Sequence, residues 1–349
     1  MSDPWAGFEG HERTVVAEFE GVRMVIAVHS TVLGPALGGT RMALYAEAAD
    51  PSAAAYADAL RLSRAMTYKN ALAGLDHGGG KAVILADPTI KPAALLHAYG
   101  RLVDSLGGSY VTAGDVGMTV SDMDVIGEVC RWTTGRSPEH GGVGDSGILT
   151  AFGVFEGLRA CAEFIWGSVD LEGKRVGVVG AGKVGGRLIG HLLDAGAVVT
   201  AVDPLPEART AIWDAYPATR FVDSIDELLA LDLDVVSPNA LGGFLTRERV
   251  ASMTAPLVCG GANNQLVDPE IGDLLAGRGI VYAPDFMVNC GGVIQVAEEL
   301  VGCNLDRARE RTARVFSTTA RVLDRARQEG ITPVTAAERE AEDRIRSAS

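Results

Sequence analysis

Cysteine is scarce in this chain and long apolar runs are missing, and each shortage closes off a class of protein. The 349 residues include five cysteines, Cys130, Cys161, Cys259, Cys290 and Cys303. Their number is odd, their spacing wide, and no Cys-x-x-Cys pair occurs, which fits neither a disulfide framework nor a zinc knuckle. Free thiols in a reducing cytoplasm are the expected state. No stretch approaches ~18 uninterrupted apolar residues, so no membrane span is expected. The N-terminus has no basic region followed by an apolar one, so no signal peptide is expected. The net charge is −14 with no basic patch, which argues against nucleic acid or an anionic membrane as a partner. Repeats and low-complexity segments are absent. His29, His77 and His140 read as structural, since none pairs with a second ligand at metal spacing, and no metal is expected.

What is present is ordinary for a globular protein with a real core: 47% apolar and 22% charged residues. At ~150 residues per domain the length allows about two domains. Residues 11–33 alternate apolar and polar positions and read as two antiparallel strands joined at Glu20-Gly21. Leu33-Gly-Pro-Ala-Leu-Gly-Gly-Thr-Arg41 reads as a glycine-rich loop, and Asp50-Pro51 as the start of a first helix. A helix over 91–106, a strand at Tyr110-Val-Thr-Ala, a turn at Gly114-Asp115-Val116 and a helix from Ser121 to about Thr134 continue the alternation, which means an α/β domain.

Within it, Met66 to Lys81 stands out. Lys69 and Lys81 lie twelve positions apart, separated by a helix end and by Gly78, Gly79 and Gly80. The glycines read as a loop open to unusual φ values and to close approach of a ligand. Lys81 then sits where that loop meets the apolar strand Ala82–Asp87. Beside apolar surface and a second cation its pKa is expected to fall toward that of a general base; alone, it reads equally as a solvated loop lysine.

Residues 135–147 hold five glycines and a proline, the composition of a hinge. The domain boundary is placed there, giving domains 1–134 and 135–349. Beyond it, strand Arg175–Val179 runs into Gly180-Ala-Gly182-Lys183-Val184-Gly185, then a helix, then strand Val198–Val202 ending at Asp203. The acid follows the first glycine by 23 residues. A strand before, a helix after and an acid at this distance form the context of a dinucleotide fingerprint. The aspartate can accept from a ribose 2′-hydroxyl and repels a 2′-phosphate, which favours NAD over NADP. Later strands end in polar tips, Pro238-Asn239-Ala240 and Gly261-Ala-Asn263-Asn264. Asn289 is expected to cap the helix after it, a long helix to fill about 304–328, and Thr335-x-x-Glu338 to form a capping box for a terminal helix.

Assembled, these motifs resemble the glutamate/leucine/phenylalanine/valine dehydrogenase family over nearly the whole chain, most of all its valine and leucine members. Leu33–Arg41, Met66–Lys69, Gly78–Lys81, Gly114–Val116, Ala262-Asn-Asn-Gln-Leu and Tyr282–Asp285 carry the resemblance together. It implies an N-terminal α/β substrate domain that also serves oligomerisation, a C-terminal Rossmann-type NAD domain, and a cleft between them. It implies reversible oxidative deamination of an L-amino acid. Lys81 would be the general base, Asp115 would shuttle protons, and Lys69 would hold the carboxylate with Gly38, Gly39 and Asn263 or Asn264. Thr150, with the Asn239-Ala240 tip, would lie against the nicotinamide. Glutamate-using relatives carry a lysine where Leu37 stands and a serine where Val296 stands. With Ala113 and Val293 the pocket is apolar and would leave a buried carboxylate unpaired. A branched-chain substrate is therefore expected, with valine against leucine or isoleucine left open, since methylenes discriminate by only ~1–3 kcal/mol. A phenylalanine- or tryptophan-preferring member, or a non-catalytic NAD-binding homologue, are the alternatives. Asn239, Gly261 and Cys290 depart from the residues usual in relatives.

Overall fold

The computed structural model describes residues 10–348. Residues 1–9, on which the reading of the N-terminus rests, lie outside the described residues. The chain divides into two compact units, the first running to Ser146 and regaining Val293–Leu305 and the stretch from Ala341, the second holding Gly147–Gly292 and Asp306–Glu340.

The first unit runs β1 (Arg13–Phe19), β2 (Val22–Ser30), β3 (Ala36–Ala43), α1 (Pro51–Leu72), β4 (Gly78–Leu85), α2 (Ala93–Asp104), β5 (Tyr110–Gly114) and α3 (Val120–Gly127). The β1–β2 hairpin turns through Glu20 at φ 49° and Gly21 at φ 80°, the left-handed pair that a two-residue hairpin asks for. Val15, Ala17 and Phe19 pack on the core while Val16 is exposed, as their alternation requires. The sheet order is β1-β2-β4-β3-β5, antiparallel across β1, β2 and β4 and parallel across β4, β3 and β5. Asp50 caps α1 by accepting from the amides of Ser52 and Ala53.

Two expectations need correction. Both glycine-rich stretches read as loops are buried strands: Leu37, Gly38 and Gly39 lie in β3, and Gly78, Gly79 and Gly80 in β4. None of these five has a positive φ among the described residues; their missing side chains serve close packing instead. The helix expected to reach Thr134 stops at Gly127 and starts from Thr119, because residues beyond it pair with β5: Thr112 N–H donates to Trp132 O, and Thr134 N–H to Thr112 O.

Residues 135–146 stay with the first unit because helix α11 below and the turn after it hold them. The Glu299 carboxylate accepts from the amides of Gly135 and Val143, and Gln295 Nε2 donates to the carbonyls of Val143 and Asp145.

The second unit contains α4 (Gly147–Trp166), β6 (Arg175–Val179), α5 (Gly185–Asp194), β7 (Val198–Val202), α6 (Pro206–Ala215), β8 (Arg220–Phe221), α7 (Ile225–Leu229) and β9 (Val235–Pro238). It continues through α8 (Arg247–Ser252), β10 (Leu257–Val258), α9 (Glu270–Gly277), β11 (Val281–Tyr282) and α10 (Asp285–Val288). The helix α11 (Gly291–Ala297) follows, then α12 (Leu305–Ala313), α13 (Val315–Glu329) and α14 (Pro333–Ala348). Its sheet is wholly parallel in the order β11-β10-β9-β6-β7-β8, that is 3-2-1-4-5-6 counted from β6, the doubly wound dinucleotide-binding order. Near the C-terminus the long helix is broken at Arg314, Asn289 ends α10 instead of starting the next helix, and Thr332 rather than Thr335 accepts the amide that opens α14. Among the described residues no helix is long and apolar enough to cross a membrane, and no group of acidic, cysteine and histidine side chains could hold a metal ion.

His29 sits between β2 and α1, its Nδ1 2.8 Å from Thr67 Oγ1 and its ring edge-on to His11. Burial, then His11 and Arg64, lower its pKa to about 4 against the opposing pull of Glu12. The unfolded chain therefore takes up this proton first, and stability is lost as pH falls from about 6.5 toward 4. Thermal melts at pH 7 and pH 4.5 are expected to show a smaller acid-induced fall in Tm for His29→Gln than for the wild type, by roughly 2–5 °C. An equal fall would assign the acid sensitivity elsewhere.

Candidate active site

Four glycines and a tyrosine bring the elements of the first unit together. A Cβ on Gly79 would lie 2.1 Å from the Thr67 amide nitrogen, and one on Gly80 2.5 Å from the Tyr110 ring. A Cβ on Gly38 would lie 1.7 Å from Gly80 O, and one on Gly39 2.9 Å from Asp115 Cβ. Helix α1 can therefore lie directly on β4, carrying Lys69 in its last turn. Tyr110, fully buried, donates its hydroxyl to Gly38 O at 2.9 Å. Asn70, also fully buried, donates to Leu37 O at 3.1 Å and Gly78 O at 2.6 Å, pinning the end of α1 to both β3 and β4. Sequence reasoning passed over Asn70 and Tyr110. The signal available for Asn70 was an amide at helical spacing from Ser63 and Thr67 on the buried face of α1.

Lys81 is 6% exposed on β4, and its Nζ lies 2.5 Å from Asp115 Oδ2 beyond the end of β5. The charge that meets Lys81 is thus a carboxylate, where sequence reasoning set a second cation. Burial pushes the Asp115 carboxyl up, but Lys81 and then Arg41 outweigh it and take its pKa down to about 2. The carboxylate is fully ionised at neutral pH. Arg41 Nε stands 3.4 Å from the same oxygen, while Arg41 Nη1 pairs with Asp58 Oδ2 at 2.7 Å. Registers bring Leu37 opposite Gly79 and Val111, Gly38 opposite Thr112, and Gly39 opposite Ala113. Leu37 is wholly covered and Ala113 nearly so; a lysine at Leu37's place would be a buried, unpaired ammonium. Val293 and Val296, on α11, belong to the same unit.

In the second unit the phosphate-binding turn has the expected physics. Gly180 adopts φ 90°, and a Cβ there would stand 2.8 Å from Ala240 Cβ. A Cβ on Gly185 would fall 1.9 Å from Gly180 O, whereas one on Gly182 meets nothing within 4 Å, leaving the opening a pyrophosphate needs. Val184 supplies no side-chain cap to α5, and the Gly186 amide closes the turn on Gly182 O at 2.8 Å. Asp203 is buried at the end of β7; its Oδ2 accepts from Ala181 N at 2.7 Å and its Oδ1 from Leu205 N at 2.9 Å. The acid shapes the turn by holding an amide on either side of it. These residues fit an NAD(P)-type dinucleotide, with Lys183 exposed beside the turn.

The Asn239 side chain is used internally. Its Nδ2 donates to Ser237 O and Oγ, and its Oδ1 accepts from Gly261 N at 2.8 Å. A Cβ on Gly261 would lie 2.7 Å from Val184 Cγ1 and 3.0 Å from Asn239 Oδ1, so these two departures suit each other. Asn289 Nδ2 donates to Asn263 Oδ1 at 2.8 Å and to Gly261 O at 3.2 Å. Asn264 has φ 53°, and Thr150 stands in the first turn of α4. These residues lie in one unit; Lys69, Lys81 and Asp115 lie in the other.

One unit with the doubly wound dinucleotide order and another that pairs Lys81 of β4 with Asp115 just past β5 are the parts of a dehydrogenase. The comparisons agree. Residues 11–131 match the model of the Glu/Leu/Phe/Val dehydrogenase dimerisation domain, and residues 205–349 that of the glutamate/leucine/phenylalanine/valine dehydrogenases. The chain is 52% identical to valine dehydrogenase of Streptomyces albus, covering 97% of this chain and 93% of that one. It is 43% identical to leucine dehydrogenase of Bacillus cereus, over 94% and 88%. Among solved structures it is similar to L-tryptophan dehydrogenase from Nostoc punctiforme, with TM-score 0.85 and 37% identity, covering 97% of this chain and 96% of that one. The chain belongs to the glutamate/leucine/phenylalanine/valine dehydrogenase family, a family of NAD(P)-dependent oxidoreductases.

Gly79→Ala tests the packing argument. The backbone it meets cannot yield, so Tm is expected to fall by about 10 °C or more, with a raised KM for amino acid in whatever folds. A Tm and KM equal to wild type would show that α1 does not need the gap.

Proposed function

We propose that the protein catalyses reversible, NAD-dependent oxidative deamination of a branched-chain L-amino acid, valine first and then leucine or isoleucine, to the 2-oxo acid, ammonia and NADH. The observation that carries this reading is the Lys81–Asp115 pair at 2.5 Å, set where β4 and β5 carry it beside an apolar wall of Leu37 and Ala113. Lys69 pairs with the substrate carboxylate, and the backbone of Gly38 and Gly39 and the amide of Asn263 or Asn264 complete its grip. Asp115, ionised, accepts a proton from the substrate ammonium, so that the amine is neutral when hydride leaves Cα. The bound nicotinamide supplies the hydride acceptor. Lys81 then takes the proton of the water that adds to the imino carbon, and the pair returns protons to departing ammonia. Val293 and Val296 close the side-chain pocket, which leaves no partner for a glutamate γ-carboxylate. Thr150 and Ala240 contact the nicotinamide end, and Asn239 braces the loop that carries them.

NAD is the cofactor in this reading because Asp203 repels a 2′-phosphate and Pro204 offers no cation to receive one. The protein acts in the cytoplasm as a homo-oligomer assembled through its first unit, the portion that matches the dimerisation model. A hetero-hexameric glutamate dehydrogenase from Thermus thermophilus, 25% identical with TM-score 0.79, has the same overall fold and covers 99% of this chain and 91% of its own.

Absorbance of NADH is the direct test, with NAD and a panel of L-Val, L-Leu, L-Ile, L-Phe, L-Trp and L-Glu at mildly alkaline pH. Strong turnover of the branched-chain substrates and little of glutamate is expected. Preference for the aromatic pair would move the pocket assignment, and silence across the panel with NAD binding intact would favour a non-catalytic role. Lys81→Ala should lose about 10²–10⁴-fold in kcat while NAD affinity persists; undiminished turnover would sink the base assignment. Asp203→Ser should shift the ratio of kcat/KM for NADP over NAD upward by about tenfold or more, with some loss for NAD because Ala181 N loses its acceptor. An unmoved ratio would remove Asp203 from cofactor choice.

A further inference from the structure

We propose that Arg41 is a positioning residue that divides the charge of Asp115 and thereby sets how readily Lys81 gives up its proton. The inference rests on the reading of Lys81 and Asp115 as the catalytic pair. Arg41 follows Gly39 by two positions on β3, so both face the same side of the sheet. The space that Gly39 leaves is the one into which the Asp115 side chain fits, 2.9 Å from where a Cβ would be. Arg41 Nε and Lys81 Nζ then approach one oxygen, Oδ2 of Asp115, at 3.4 and 2.5 Å. Arg41 Nε is buried and has no hydrogen-bond acceptor among the described residues, so its attraction to that oxygen is an ion-pair one.

The guanidinium is held there from its other end. Asp58, on α1, accepts Arg41 Nη1 at 2.7 Å and the Tyr45 hydroxyl at 2.6 Å on Oδ2, and Arg61 Nη2 at 2.7 Å on Oδ1. Tyr45 itself takes φ 52°, a conformation that brings its hydroxyl back to α1. Charges therefore alternate along one line, Arg61, Asp58, Arg41, Asp115, Lys81. The groups that act on Asp115 are Lys81 from β4, Arg41 from β3 and the backbone amide of Val116, and its charge is felt in turn by the buried Tyr110 hydroxyl of β5.

The chemistry follows from competition. Lys81 must be neutral to take a proton from water, and an undivided carboxylate at 2.5 Å would hold it as ammonium. Arg41 draws part of that negative charge away and adds a like charge of its own, and both effects oppose the hold of Asp115 on the Lys81 proton. Asp58 limits the effect by sharing the guanidinium. Removal of Arg41 and removal of Asp58 should then act in opposite directions, which no merely structural role would produce.

The test is the pH profile of kcat/KM for the amino acid in the oxidative direction, with the full chain. For Arg41→Gln the acidic limb is expected about 0.5 unit or more to the alkaline side of wild type, with Arg41→Lys lying between, since an ammonium cannot span Asp58 and Asp115 together. For Asp58→Asn the limb is expected on the acid side. A uniform fall in rate with unmoved limbs, or shifts of the same sign in both variants, would overturn the proposal. Should Arg41→Gln fail to fold, the sign of the Asp58→Asn shift decides alone. The pH dependence of Lys81 labelling by an amine-reactive probe, followed by peptide mass spectrometry, reads the same equilibrium without turnover. Wild-type silence on every amino acid would refute the enzymatic reading, while the labelling curves would still test Arg41.

Discussion

The absence of side chains at Gly38, Gly39, Gly79 and Gly80 is the constraint on which the first unit depends. Each Cβ position there is crowded by a neighbour: Gly80 O at 1.7 Å for Gly38, Thr67 N at 2.1 Å for Gly79, the Tyr110 ring at 2.5 Å for Gly80 and Asp115 Cβ at 2.9 Å for Gly39. Protein interiors are packed too densely to absorb such overlaps. Strands β3 and β4 and helix α1 can come together only with hydrogen at these positions, and their closeness is what gathers Lys69, Lys81 and Asp115 into one neighbourhood. Asn70 and Tyr110 then tie the backbone, each giving a buried donor to a strand carbonyl.

The second unit solves a different problem with the same means. There the glycines shape a turn around a ligand: Gly180 for its left-handed φ, Gly185 for helix–strand contact, Gly182 for open space. Asp203 joins the turn to the second strand by accepting the Ala181 amide. The residue proposed to discriminate cofactors is thus part of the turn's own framework, and its replacement disturbs geometry as well as charge.

The line of alternating charges in the first unit lets one buried carboxylate serve two cations. Asp115 Oδ2 is shared between Lys81 and Arg41, and Arg41 is shared in turn with Asp58. In the proposed mechanism this sharing tempers the attraction between Asp115 and Lys81. Burial of these groups makes the balance matter, because water screens little there.

Periodicity and local chemistry in the sequence determined the hairpin at Glu20-Gly21, the capped start of α1 at Asp50, the alternating α/β order, and the strand–glycine–helix–acid unit ending at Asp203. Those features depend on contacts within a few tens of residues, and a side-chain pattern records them directly. Spacing alone could not separate loop glycines from strand glycines, since the choice turns on what packs against them from α1 and β5. Nor could it show that Lys81 faces Asp115, that Arg41 reaches the same oxygen from β3, or that Glu299 binds residues 135–146 to the first unit. Each of those partners is distant in the chain, and only the folded sheet sets them within a hydrogen bond's length of one another.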